Sequence, residues 1–267
     1  MKDTPEIIGY RGIKNRITGG VVTQLAPVFR QDWPVGNLHP DQALGRYMDF
    51  WKFEDLMKTQ ELHFCRVDQY AKKDDPLEGA LSPIGIHGTS PSDVAFREVG
   101  VTQEAYAKQA EYREIAKACT FINCWHINRN ESPLMWERYT TSNDSVLIIT
   151  NAQRLAASLK QEVFGSSVKY VDLNTPRTEF GERSLFFFKD MSFAFEQEFR
   201  LLVDLMMLGG SIRRDHSDDF YRRMPVDVSR LVWGIQLHPN ATSETKQKVG
   251  NLVSTHLPTA VEQSGNL

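Results

Sequence analysis

The chain has 267 residues, 41% hydrophobic and 24% charged, with a formal net charge of -3. That length accommodates one large domain or two small ones around a sizeable core, and the near-neutral balance excludes wrapping of nucleic acid over the whole surface, leaving only local patches. The three cysteines, Cys65, Cys119 and Cys124, are too few for a disulfide framework and point to a reducing cytoplasm. The N-terminus lacks the apolar run of a secretory signal. Apolar stretches such as 201–208 fall well short of the roughly 20 residues a membrane-spanning helix needs, so no membrane association is expected.

Residues 1–40 are punctuated by Pro5, Pro27, Pro34 and Pro40 and by several glycines. They form an irregular lead-in with at most short strands, one of them near Val21–Leu25. The remainder, 41–267, reads as a single domain. A short strand covers Leu44–Tyr47, with a longer helix from Asp41 as the competing reading, and a helix follows through Trp51–Thr59, where Phe53, Leu56 and Met57 recur at helical spacing. Leu62 and Phe64 alternate with polar neighbours as a strand that stops at the polar loop 71–79. Two helices opened by Ser90-Pro91 and by Thr102 carry few large apolar residues, which marks 80–118 as a helical insertion or lid.

The strand Thr120–Ile127 points Ile122, Cys124 and His126 one way and Phe121, Asn123 and Trp125 the other. Ser132-Pro133 starts a short helix that sets Met135 and Tyr139 about a turn apart. Strand Val146–Thr150, helix Ala152–Lys160, strand Val168–Val171 and an apolar element over 184–188 come next. A turn at Lys189-Asp190 then leads into strand Phe193–Val203, Val226–Leu237 forms one more strand, and a helix over Thr242–Thr255 closes the chain. Strands and helices mix without strict alternation. This predicts an α+β fold of mixed, mainly antiparallel sheets with flanking helices.

Within the strand over 193–203, period two sets Glu196, Glu198 and Arg200 on one face. A solvated row of charges is the plain reading of that face. The phenylalanines at 186, 187, 188, 193 and 195 argue instead for a central strand, in which adjacent carboxylates raise each other's pKa while an arginine lowers it. Such a pair suits glycosidic chemistry through a cationic sugar. A second constellation, Cys124-Trp125-His126 with Trp136 and Tyr139, offers aromatic walls for a flat ring or, equally, core packing. A Cys124–His126 nucleophile pair and a zinc site at His63, Cys65, Cys124 and His126 both lack supporting spacing, and no metal is expected. The acids of Asp74–Gly79 fit a solvated turn or a ribose contact, and the arginines at 213, 214, 222 and 223 are the best local patch for a polyanion.

The order Arg46-Tyr47, Asp75-Pro76-Leu77-Glu78-Gly79, Cys124-Trp125-His126, Met135-Trp136 with Tyr139, and Glu196-x-Glu198-x-Arg200 resembles a widespread bacterial family of unknown function. That family has a Met-Trp-x-x-Tyr helix and a late Glu-x-Glu-x-Arg strand, and the likeness covers about residues 44–240. The family in turn is similar to the ADP-ribosyltransferase fold. The resemblance implies an NAD-dependent ADP-ribosyltransferase, a toxin or antiphage effector, with NAD as substrate, a protein or nucleic acid as acceptor and an antitoxin as a further partner. It assigns catalysis to Glu198 with Glu196 and Tyr139, and NAD binding to Arg46, Tyr47, Trp125, His126 and Trp136, with Arg46 on the pyrophosphate. The Ser-Thr-Ser middle motif of such transferases is replaced here by Cys124-Trp125-His126. Two other readings fit the same residues: a module that binds nucleotide or nucleic acid without turnover, and a metal-dependent nuclease or hydrolase. The transferase reading requires Arg46, Tyr139 and Glu198 to meet at one cleft.

Overall fold

The computed structural model describes residues 38–70, 114–172 apart from 129 and 162, 184–204 and 220–257, together with three two-residue strands nearer the N-terminus. The acidic loop Asp75–Gly79, most of the expected insertion 80–118, and Arg213 and Arg214 lie outside these residues.

The strands are β1 (Ile13–Lys14), β2 (Val21–Val22), β3 (Val28–Phe29), β4 (Ala43–Asp49), β5 (Glu61–Arg66), β6 (Thr120–His126), β7 (Ser145–Asn151), β8 (Val163–Ser167), β9 (Lys169–Val171), β10 (Phe188–Asp190), β11 (Glu198–Asp204), β12 (Tyr221–Pro225) and β13 (Gly234–Leu237). The helices are α1 (Phe50–Thr59), α2 (Val67–Tyr70), α3 (Pro133–Tyr139), α4 (Ala152–Ser158), α5 (Val228–Leu231) and α6 (Ser243–His256), with a further helical stretch over 114–119. The α+β class and the mainly antiparallel character are as expected.

Among the described residues, nine strands join one sheet in the order β13-β7-β4-β6-β11-β8-β3, and β12-β5 attaches alongside β6. Every pairing in it is antiparallel. The sheet splits at β6, where one edge is shared by two neighbours: β5 pairs with residues 121 and 122, and β4 touches only at Gly45↔His126. Although β3 lies within the irregular lead-in, it pairs with β8 and so belongs to the main sheet.

Alternation along the strands divides the sheet into two unequal faces. One carries Leu44, Met48, Phe121, Trp125, Val146, Ile148, Phe199, Leu201 and Val203, and is covered by Phe53, Leu56 and Met57 of α1, Leu155 of α4, Leu231 of α5 and Val249 and Val253 of α6. This is the main core. The other face holds two small apolar clusters, one around Ile122, Phe186, Phe187 and Leu202, the second around Tyr47, Met135, Trp136 and Leu147. Between them runs a polar seam formed by Cys124 and His126 of β6 opposite Arg200 and Glu198 of β11.

Three expected elements differ. The strand expected from Phe193 starts at Glu198, because Met191–Glu196 forms a 3-10 helix: the Asp190 carboxylate accepts from Ser192 N, and Gln197 ends the turn in the left-handed region at φ 41°. The single strand expected over Val226–Leu237 is α5 followed by β13, since Asp227 accepts from the backbone N of Ser229 and Arg230 and starts a helical turn, while β12 forms just before it in a stretch expected to be loop. Strand β8, unforeseen, precedes β9 and forms the second flank of β11. No helix of the described residues is long and apolar enough to cross a membrane.

Candidate active site

Glu196, Glu198 and Arg200 do converge, but not as neighbours on one strand. Glu198 and Arg200 share a face of β11, whereas Glu196 ends the 3-10 turn before it. The left-handed Gln197 reverses the chain locally, so Glu196 arrives on the same side by a different route. The group is buried: Glu196 is 4% exposed, Glu198 3% and Arg200 1%, which excludes a solvated row of charges.

Two cations hold the carboxylates. Arg200 donates from Nε to Glu198 Oε1 at 2.6 Å and from Nη2 to Oε2 at 3.1 Å, a two-pronged contact that fixes the carboxylate plane. Its Nη1 donates to the Phe186 carbonyl at 2.7 Å. Lys189, the middle residue of β10 where a turn was expected, donates to Glu196 Oε2 at 2.6 Å and lies 3.7 Å from Glu198 Oε2. The two acids and the two cations therefore balance in charge. This balance is what makes their burial tolerable. Burial pushes the Glu198 carboxyl up, but the charges of Arg200 and Lys189 outweigh it and hold the group below the usual carboxylate range.

Protonated donors complete the seam. The Cys124 thiol lies beside Glu198, and burial followed by the nearby Glu198 charge drives its pKa well up. It stays a thiol and is no nucleophile. The Tyr139 hydroxyl of α3 lies beside Glu196 and is likewise held protonated, first by burial and then by the charges of Glu198 and Glu196. Tyr170 of β9 accepts from the backbone N of Glu198 at 2.8 Å, and burial with the Glu198 charge raises its pKa as well.

His126 stands opposite Glu198 in the register. Its Nδ1 lies 2.6 Å from the Glu196 carbonyl oxygen, and a carbonyl accepts only, so Nδ1 carries the proton. Nε2 is buried and has no hydrogen-bond partner among the described residues. Tyr47 lies beside the imidazole at 6.2 Å between centroids, meets Trp136 edge-on at 4.8 Å, and accepts from Ser132 N at the start of α3. That bond and Pro133 at the first helical position aim α3, and with it Tyr139, over the seam.

Of the residues singled out, Glu196, Glu198, Tyr139, His126, Tyr47 and Trp136 thus gather on one face. Arg46 and Trp125 do not. Arg46 is out of phase with Gly45 and Tyr47 on β4. Its guanidinium enters the split, donating to the Cys124 carbonyl at 3.4 Å and lying 5.9 Å over the Trp125 ring. Trp125 is packed in the main core, its Nε1 bonded to Asn123 Oδ1. The backbone of β6 therefore separates both from the carboxylates. Arg223 pairs with Asp55 and Glu61, which tempers the polyanion patch expected there. Among the described residues no group of three or more His, Cys, Asp or Glu is placed to hold a metal ion.

Lys189 and Tyr170 went unforeseen. Lys189 reads as a turn residue, and nothing periodic ties it to acids seven and nine positions later. A lysine closing a run of three phenylalanines was the one available signal, since a cation set among apolar residues needs a partner. The seam as a whole offers an ionised, rigidly oriented carboxylate, a second carboxylate touched by a tyrosine, and a histidine with a free acceptor.

No family model matches the chain, and neither a curated protein nor a solved structure is found similar to it.

Proposed function

We propose that the chain is an NAD-dependent ADP-ribosyltransferase of the toxin or antiphage type, acting at Glu198 and Glu196. The observation that carries this reading is the convergence of the two carboxylates with Tyr139 and His126 on one face. Loss of nicotinamide from NAD leaves a ribosyl oxocarbenium, and a fixed carboxylate stabilises that developing charge. Glu198, locked by Arg200, supplies the fixed charge. Glu196, held by Lys189 with Tyr139 nearby, lies beside it and orients the ribose hydroxyls. Tyr47 and Trp136 wall the ring-binding side. Arg46 lies across β6 from the carboxylates, so the expected meeting of Arg46, Tyr139 and Glu198 in one cleft is not met. No pyrophosphate grip by Arg46 enters the proposal, which rests on Glu198, Glu196, Tyr139 and His126 alone.

Labelled NAD incubated with the full chain and a cell extract tests it, the expected result being label transferred to a protein or nucleic acid. Absence of both transfer and nicotinamide release across pH and salt would end the reading. The balanced charges favour one rival. Two acids already matched by two cations suit a module that binds a nucleotide without consuming it, and calorimetry showing NAD bound but intact would select that rival.

A further inference from the structure

We infer that His126 is the group that takes the proton from the acceptor in the transfer, and that the acceptor is therefore a hydroxyl. This rests on the transferase reading and adds a residue role and a substrate class to it. Three observations lead there. The imidazole is fixed in one tautomer, because Nδ1–H is tied to the Glu196 carbonyl at 2.6 Å. Its other nitrogen, Nε2, bears a lone pair, is buried, and meets no donor among the described residues. A buried acceptor left unmatched costs free energy in the resting protein, and an incoming O–H supplies the missing donor. Finally, β4 sets Gly45 directly opposite His126, and the neighbouring side chain of that strand on this face, Tyr47, stands off at 6.2 Å between ring centroids. A Cβ at Gly45 would fall 2.9 Å from Leu147 Cδ1, which keeps the position bare.

The other ionisable groups on the elements around His126 do not supply this base. Cys124 on β6 lies beside Glu198 and stays a thiol, Glu198 on β11 is held by Arg200, Glu196 is held by Lys189, and Tyr139 on α3 and Tyr47 on β4 remain protonated. Among them, His126 alone presents a ring nitrogen with a lone pair and no partner among the described residues. In the step, the acceptor O–H proton passes to Nε2 and the oxygen bonds C1′ of the ribose. The C1′–N bond breaks, and its electron pair leaves with nicotinamide, which departs neutral. A carboxylate acceptor would need no base, so the free Nε2 favours a hydroxyl.

The test uses the full chain with NAD as donor and methanol as a simple acceptor, following nicotinamide release and methyl ADP-ribose from pH 5 to 9. His126→Asn keeps an amide N–H at the Nδ1 position, and with it the bond to the Glu196 carbonyl, while removing Nε2. It is expected to lose both products by about 10²–10⁴-fold and to regain turnover when imidazole is added. His126→Gln, which places an amide at the Nε2 position, is expected to be as slow. A wild type that turns NAD over while His126→Asn matches it in rate overturns the role of His126 alone. A wild type that never consumes NAD removes the transferase reading, and this role with it.

Discussion

Breaking the Glu198–Arg200 pair on one side is expected to cost far more than removing it whole. In Glu198→Gln the Arg200 guanidinium, 1% exposed, keeps the Phe186 carbonyl but loses the two-pronged carboxylate contact of Glu198, and Lys189 adds a second positive group nearby. Stranding one partner of a buried pair costs about 3–5 kcal/mol, against a total stability of about 5–15 kcal/mol for a domain. With a urea slope of about 2 kcal/mol per M, the midpoint falls by about 2 M. Arg200→Met strands Glu198 in the same way, leaving it Lys189 alone. The double variant Glu198→Gln/Arg200→Met should recover most of the loss, because Lys189 and Glu196 remain a matched pair at 2.6 Å. A coupling of at least about 2 kcal/mol is therefore expected from urea melts followed by circular dichroism with a shared slope. Singles that each cost under about 1 kcal/mol, or a double equal to their sum, would refute the view that these charges are mutually dependent. The same reasoning bears on catalysis: lost activity in Glu198→Gln identifies the carboxylate only where the variant is shown to be folded at the assay temperature.

Acid should unfold the protein through its carboxylates. Glu198, Asp49 and Asp227 all have folded pKa values below the ordinary ones. Their stabilisation is complete above the unfolded carboxylate value of about 4 and is lost as pH falls through the folded values, so urea midpoints should hold steady from pH 7 to 5 and drop below that. A midpoint that rises on acidification would contradict it. Asn123, fully buried, donates to the His63 carbonyl at 2.9 Å and accepts from Trp125 Nε1 at 2.7 Å, tying β5 to β6 beside the split. Asn123→Ala should cost about 2–4 kcal/mol in the same melts, and a loss under about 1 kcal/mol would show that this tie is dispensable. Gln197, at φ 41°, should accept glycine within about 1 kcal/mol of wild type, whereas Gln197→Val should cost more than about 1 kcal/mol. Equal stability of the two variants would remove the left-handed turn as the cause.

Much of the fold could be read from local signals. Alternation in Thr120–His126 correctly separated Cys124 and His126 from Trp125, Ser132-Pro133 located α3, and the i, i+3, i+4 spacing of Phe53, Leu56 and Met57 located α1. Such patterns are legible because each strand or helix shows its own period wherever one side is buried. Cap chemistry was equally present but overlooked. Asp190-x-Ser192 and Asp227-x-Ser229 each stop an apolar run from continuing as a strand, because a short acid accepts from the backbone two residues on.

The sequence by itself determined which residues carry charge into the apolar context of 184–203, and so that Glu196, Glu198 and Arg200 would matter. It could not determine how they meet. Glu196 reaches Glu198 only because Gln197 turns left-handed, and Lys189 reaches both acids only because 3-10 packing folds the segment back over β11. The splitting of the sheet at β6 likewise decided that Tyr47 shares a face with His126 while its neighbour Arg46 lies beyond the strand. Those outcomes depend on pairings between residues up to about eighty positions apart, and no local period encodes them.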